Sequence, residues 1–155
     1  MHKFDLKNKT AIITGGAQGF GLDIAKRFLD SGAKAIIWDI DEKELIKASK
    51  EINNPNLKYN VVDVSNFNEV NKTVDQIAKS SNIDILINNA GITGSTSTLW
   101  DYDVDEWNKI IEINLMGTFN CCKTVVPYMI KNNYGRIVNV ASLKLDTSTT
   151  LYLRL

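Results

Sequence analysis

Five short apolar segments, each but the last followed by a helical pattern, constrain this chain more than any other feature. They are KTAIIT at residues 9–14, AKAIIWDI at 33–40, LKYNVVDV at 57–64, IDILINNAG at 83–91 and GRIVNVAS at 135–142. Their apolar residues scarcely alternate with polar ones, which is the pattern of strands buried on both faces. Between them, Leu22, Ala25, Phe28 and Leu29 recur at helical spacing, with Gly32 placed to end the helix. Asp41, with Glu44 three residues on, predicts a capping box for a helix with Leu45, Ala48 and Ile52 inward, stopped by Asn53-Asn54-Pro55. Ser65 is placed to cap a third helix carrying Val70, Val74 and Ile77 on one face. After a polar loop, ITGSTSTLWDY, the pair Asp103 and Glu106 opens a long helix with Trp107, Ile110, Ile111, Leu115 and Phe119 expected inward and a kink at Pro127.

Strand and helix therefore alternate throughout, which implies an α/β fold with a parallel sheet covered by helices. Right-handed crossovers make a doubly wound sheet the natural topology. No linker, repeat or low-complexity segment interrupts the pattern, so residues 1–155 read as a single domain.

Charge and composition narrow the function. Eighteen basic and eighteen acidic side chains cancel, so the chain lacks the cationic surplus of a nucleic-acid or membrane-surface binder. No apolar run approaches a spanning helix, and the first residues, MHKFDLKNKTAIIT, hold no stretch suited to a signal peptide. Cys121 and Cys122 are adjacent and cannot staple distant segments. The sole histidine, His2, stands at the terminus, and no metal-ligand spacing occurs. A cytoplasmic protein with unpaired thiols is expected.

Between the first strand and helix runs Thr14-Gly15-Gly16-Ala17-Gln18-Gly19-Phe20-Gly21. Glycines let main-chain amides approach a ligand with no Cβ in the way, and the helix start behind them is a ready site for a diphosphate. The same glycines also serve a tight turn and close helix–strand packing, and their spacing departs from G-x-G-x-x-G. Asp39 ends the second strand twenty residues beyond Gly19, where a dinucleotide fold places the acid that binds the adenine ribose hydroxyls. A carboxylate there repels a 2′-phosphate, and neither Gly16 nor Ile40 offers a compensating charge, so NAD is favoured over NADP.

Taken in order, TGGAQGFG, Asp63-Val64, Asn88-Asn89-Ala90-Gly91, Asn114 within IIEINLMGTF and Ser142 within GRIVNVAS resemble the short-chain dehydrogenase/reductase family. The likeness extends from about Asp5 to Ser142 and is strongest to oxoacyl-carrier-protein reductases and to sugar and hydroxysteroid dehydrogenases. It implies a Rossmann-type fold with strand order 3-2-1-4-5 and hydride transfer between nicotinamide and a small alcohol or carbonyl substrate. It implies that Gly15, Gln18, Gly19, Phe20 and Gly21 shape the phosphate turn and that Asp39 and Ile40 face the ribose. Asp63 and Val64 would border the adenine, and Asn89, Ala90 and Gly91 the nicotinamide ribose, while Asn88 organises the sheet. Asn114 would serve the proton relay through a water on its main chain, and Ser142 would hydrogen-bond the substrate oxygen. Full-length relatives are expected to be homo-oligomers.

The family's Tyr-x-x-x-Lys pair, in which a lysine lowers the pKa of the proton-transferring tyrosine, has no counterpart in the divergent tail, residues 143–155. Tyr152 stands ten positions after Ser142 with no lysine four residues on, and is the poorest of the catalytic candidates. The expectation is a truncated dehydrogenase lacking the family's last strands. The alternative is a catalytically inactive NAD-binding module or interaction protein.

Overall fold

Every residue of the strand β1 (Thr10–Thr14) is buried, as an unbroken apolar pattern requires of a strand covered on both faces. A computed structural model describes residues 5–141 and, as backbone alone, the strand Tyr152–Leu153. The expectations placed on His2, on Ser142 and on the side chain of Tyr152 lie outside the described residues.

The other strands are β2 (Lys34–Asp39), β3 (Leu57–Val61), β4 (Ile85–Asn88), a short β5 (Ser97–Thr98), β6 (Arg136–Asn139) and β7 (Tyr152–Leu153). The helices are α1 (Gly19–Asp30), α2 (Glu42–Ile52), α3 (Phe67–Ala78), α4 (Val104–Ile110) and α5 (Gly117–Lys131). The main sheet is parallel with order β3-β2-β1-β4-β6. This is the expected 3-2-1-4-5 order, because β6 is the fifth long apolar segment. The additional strand β5 lies within the polar loop after β4 and pairs antiparallel with β7.

Alternate residues of the central strands feed two cores. Ala11, Ile13, Ala35 and Ile37 pack with Ala25 and Leu29 of α1 and Leu45 and Ala48 of α2. Ile12, Ile36 and Trp38 face the other way, toward Val70, Val74 and Ile77 of α3 and Cys121, Val125 and Met129 of α5. Burying each of the larger aliphatic side chains contributes about 1.5–3 kcal/mol relative to exposure. Helices thus cover both faces of the central strands, which is the doubly wound arrangement. Against expectation the edge strand β6 is exposed along its whole length and β3 along most of its own, because an edge strand has a neighbour on one side only. No helix among the described residues is long and apolar enough to cross a membrane.

Three local expectations change. Asn66, not Ser65, caps α3 by accepting from the Glu69 N–H. Ser65 turns back instead, its N–H and hydroxyl both donating to Asp63 Oδ1. Asp41 caps α2 as expected, accepting from Lys43 and Glu44, yet Glu44 pairs with Lys47 rather than closing the capping box.

The long helix differs most. Leu115 is 59% and Phe119 51% exposed, although both were expected inward. The buried seam runs instead through Ile110, Gly117, Asn120, Cys121, Thr124 and Val125. The reason is how closely the loop after β3 approaches. A Cβ on Gly117 would lie 2.7 Å from Val64 Cγ2, and Asn120 Nδ2 donates to the Val64 and Ser65 carbonyls at 3.0 and 3.1 Å. Small and hydrogen-bonding residues fit that approach, and bulky apolar ones do not. Between α4 and α5, Ile111–Met116 forms a π-helical turn in which the Gly117 N–H reaches the Glu112 carbonyl. Such turns concentrate at functional sites.

Candidate functional site

At the C-terminal ends of β1, β2 and β4 lies a cleft of about 460 Å³. Open α/β sheets bind ligands at this end, where the strand order reverses. Gly15 and Gln18 line it on one side, Asp39, Ile40, Asp63 and Val64 on another, and Asn89, Ala90 and Gly91 on the third.

The glycine turn forms because two of its residues adopt the left-handed region, Gly15 at φ 61° and Gly19 at φ 54°. Gly21 answers a different demand. A Cβ there would overlap the Gly15 carbonyl oxygen and come within 2.7 Å of Asn89 Nδ2. Behind this turn α1 begins at Gly19 with no side-chain cap on Gln18 and no acid in its first turn. By contrast, Asp41, Asn66 and Asp103 each cap the helix that follows them. The first N–H groups of α1 and its positive dipole end are thus left for a ligand.

Thr14 and Asn89 lock the turn against β4. The Thr14 hydroxyl accepts from the N–H groups of Asn89 and Ala90 at 3.0 and 2.9 Å and donates to the Ile87 carbonyl at 3.4 Å. Asn89 Nδ2 donates to the carbonyls of Thr14 and Gly15, both at 3.1 Å. The Asn89 side chain therefore points back into the turn and fixes its shape. Asn88 extends the other way, donating to Asn139 Oδ1 of β6 at 2.8 Å and to Cys122 Sγ at 3.3 Å, so it joins side chains rather than main-chain groups of the neighbouring strands.

On the opposite wall, the Asp39 carboxylate is held by two main-chain donors, Ala17 N–H at 3.3 Å and Asp41 N–H at 3.2 Å. Asp63 is oriented by Ser65, while its own N–H reaches Glu69. Among the described residues, every charged one lining the cleft is an aspartate: Asp39, Asp41 and Asp63. A ligand group at this wall is met by acceptors, which suits sugar hydroxyls and repels a phosphate.

At the far end Asn114, in the π-helical turn, grips both main-chain groups of Ile92. Its Oδ1 accepts from the Ile92 N–H at 2.9 Å and its Nδ2 donates to the Ile92 carbonyl at 3.0 Å. The Thr118 hydroxyl donates to the Asn114 carbonyl at 2.9 Å. Glu106 holds the next part of the loop, accepting from the Ser95 N–H and hydroxyl at 2.9 and 2.5 Å. The loop leaving β4 is thereby anchored at two points, by α4 and by the π-helical turn that follows it.

The structure brings together Gly15, Gln18, Asp39, Ile40, Asp63, Val64, Asn89, Ala90 and Gly91 around one cleft. Gly19, Phe20 and Gly21 lie behind it in the start of α1, and Asn114 touches it through Ile92. Ser142 lies outside the described residues. Of Tyr152 only the main chain is described, paired opposite Thr98. Sequence reasoning passed over Thr14, Trp38, Val62, Ile92 and Ile113. The signal for Thr14 was a lone hydroxyl closing an apolar strand directly before the glycines. Among the described residues no three His, Cys, Asp or Glu side chains cluster as a metal site.

Comparison with known proteins agrees with this fold. A family model described as short chain dehydrogenase matches residues 9–150. A 2-dehydro-3-deoxy-L-rhamnonate dehydrogenase (NAD(+)) of Sphingomonas sp. is 40% identical over 136 residues, covering 87% of this chain and 54% of that protein. A 3-oxoacyl-(acyl-carrier-protein) reductase FabG of Chlamydia muridarum is 38% identical over 142 residues, covering 89% and 57%. The crystal structure of an NAD+-bound xylitol dehydrogenase superposes with a TM-score of 0.84 at 33% identity, covering 88% of this chain and 54% of that one. The chain thus spans little more than half the length of these relatives.

Proposed function

The chain belongs to the short chain dehydrogenase family, and from that premise we propose that its cleft holds NAD(H) for oxidoreduction of a small alcohol or carbonyl compound. When bound, the nicotinamide ring supplies or accepts the hydride. The observation that carries this reading is the pairing, across one cleft, of an uncapped, acid-free helix start with a carboxylate pinned by two main-chain N–H groups. The first feature suits a diphosphate and the second suits ribose hydroxyls.

In this reading, N–H groups of Gly19, Phe20 and Gly21 face the diphosphate, with Gly15 and Gln18 shaping its approach. Asp39 accepts from the adenine ribose and, with Asp41 and Asp63 beside it, disfavours a 2′-phosphate, so NAD is the cofactor rather than NADP. Ile40, Asp63 and Val64 flank the adenosine end, and Asn89, Ala90 and Gly91 flank the nicotinamide ribose. Asn114 holds the Ile92 main chain beside the reacting end, and Ser142 hydrogen-bonds the substrate oxygen. The relatives named for an NAD(+)-dependent rhamnonate-derivative dehydrogenase and an NAD+-bound xylitol dehydrogenase support the cofactor and a hydroxylated substrate. The free Cys121 and Cys122 support a reducing, cytoplasmic setting.

Fluorescence titration of the purified 155-residue chain with NADH and NADPH tests the proposal. Saturable NADH binding, weaker NADPH binding and a roughly ten- to hundredfold loss of NADH affinity in Asp39→Ala are expected, the range for charge-assisted hydrogen bonds of about 1.5–3 kcal/mol. Absence of saturable binding, or an Asp39→Ala variant that binds like the parent, overturns it.

A further inference from the structure

A second cleft, also of about 460 Å³, opens at the opposite end of the sheet. Its walls are the first residues of β1, β2 and β3 and the last turn of α3. Thr10, Ile36 and Ile77, each less than a tenth exposed, form its floor.

Two lysines dominate its chemistry. Ile36 stands in register with Lys58, and Lys34 precedes Ile36 by two, so Lys34 and Lys58 project from the same face of adjacent strands. Strand spacing and rise put their Cα atoms roughly 8 Å apart. Among the described residues no Asp or Glu lines the cleft, and neither ammonium has an acidic partner. Lys9, close by, shows the contrast: it pairs with Asp84 at 3.5 Å and stacks on the Tyr134 ring at 3.5 Å. Two like charges left facing one cavity are relieved by an anion held between them.

The remaining wall suits hydroxyls. Ser80 and Ser81 each donate their hydroxyl to the Ile77 carbonyl, at 3.1 and 3.4 Å, which turns their oxygen lone pairs outward as acceptors. Asn60 and Gln76 add both donors and acceptors. On the floor, the Thr10 N–H is engaged by Asp84 at 2.9 Å, while no described residue hydrogen-bonds the Thr10 hydroxyl, on a residue 4% exposed.

We propose that this cleft binds a small polyhydroxylated anion of monosaccharide size, a sugar acid or a sugar phosphate. Its anionic group sits between Lys34 and Lys58, and its hydroxyls lie against Asn60, Gln76, the serine pair and Thr10. The site is separate from the dinucleotide cleft and does not depend on that assignment.

Amide chemical-shift titration of the 155-residue chain with D-glucose 6-phosphate, D-gluconate, D-glucose and inorganic phosphate tests it. At least one of the two sugar anions is expected to shift residues 34, 58, 80 and 81 saturably, more tightly than inorganic phosphate, with no saturation by glucose. Response to the phosphate ester alone assigns a sugar phosphate, to gluconate alone a sugar acid, and to both the shared anionic chemistry. Lys34→Gln and Lys58→Gln should each weaken binding about tenfold, while Lys50→Gln, the same charge change on α2, leaves it unaltered. No saturable response to either sugar anion, equal binding of glucose or of inorganic phosphate, or indifference to both lysine substitutions overturns the proposal.

Discussion

Replacing Thr14 by valine keeps the shape of a side chain that is 1% exposed and removes one hydroxyl. That hydroxyl serves three main-chain groups, the N–H of Asn89, the N–H of Ala90 and the carbonyl of Ile87. At about 0.5–1.5 kcal/mol net per hydrogen bond, the two short bonds contribute about 2 kcal/mol and the longer one less. Two N–H groups are also stranded, although water from the cleft reaches half-buried Asn89 and Ala90 and moderates that penalty. The expected loss is about 3 kcal/mol, a large part of the roughly 5–15 kcal/mol that stabilises a typical native protein. For a chain of this size it corresponds to a Tm lowered by roughly 6–12 °C. Urea unfolding with an unchanged m value would isolate the effect. Thr14→Ser, which retains the hydroxyl, should recover most of the loss. A valine variant within about 1 kcal/mol of the parent, or a serine variant as damaged as the valine one, would refute the assignment of the seam to this hydroxyl.

Gly21→Ala should be destabilised by about 1–3 kcal/mol from overlap with the Gly15 carbonyl and Asn89, and should also lose NADH affinity in the fluorescence titration because the turn is pushed open. Alkaline unfolding offers a separate check. Burial raises the Cys121 thiol from 9.0 to about 12, so the folded chain keeps a proton that the unfolded chain releases. Its contribution to stability is therefore complete below pH 9 and falls between about pH 9 and 12, with a limiting slope of about 1.4 kcal/mol per pH unit. Cys121→Ala should flatten that slope in urea titrations at pH 8.5 to 10.5, and an unchanged slope would contradict the burial argument.

The strand order and the gathering of nine cofactor candidates around one cleft were legible because they follow from strong, local signals. Unbroken apolar runs report burial on both faces for β1, β2 and β4, whereas the edge strands β3 and β6 stay largely exposed, and glycines before a helix report close approach. What escaped depended on contacts between distant segments. Leu115 and Phe119 read as core from their hydrophobicity, but the face that packs against the loop after β3 is the one carrying Gly117, where Val64 approaches so closely that no side chain fits. Ser65 and Asn66 are equally good caps by residue type, and the choice was decided by Asp63, which takes both donors of Ser65. Asn89 lines the cleft, and the further commitment of its amide to the Thr14 and Gly15 carbonyls, 75 and 74 positions away, has no local signal. Nothing in the local pattern around Lys34 and Lys58 signals their proximity, since β2–β3 register alone creates it.

The bonds that join β1 to β4 link residues 73 to 76 positions apart, from Thr10–Asp84 at one end to Thr14–Ala90 at the other. Closing a flexible loop that long carries an entropic barrier of about 4 kcal/mol, a penalty lowered only once the two intervening strand–helix units have condensed. Parallel neighbours cannot zip from a hairpin, so this union is a late event in maturation. The cleft at the C-terminal ends of β1 and β4 therefore takes its shape only after the helices on either side of it have formed, since its two walls meet across this last-closed pairing.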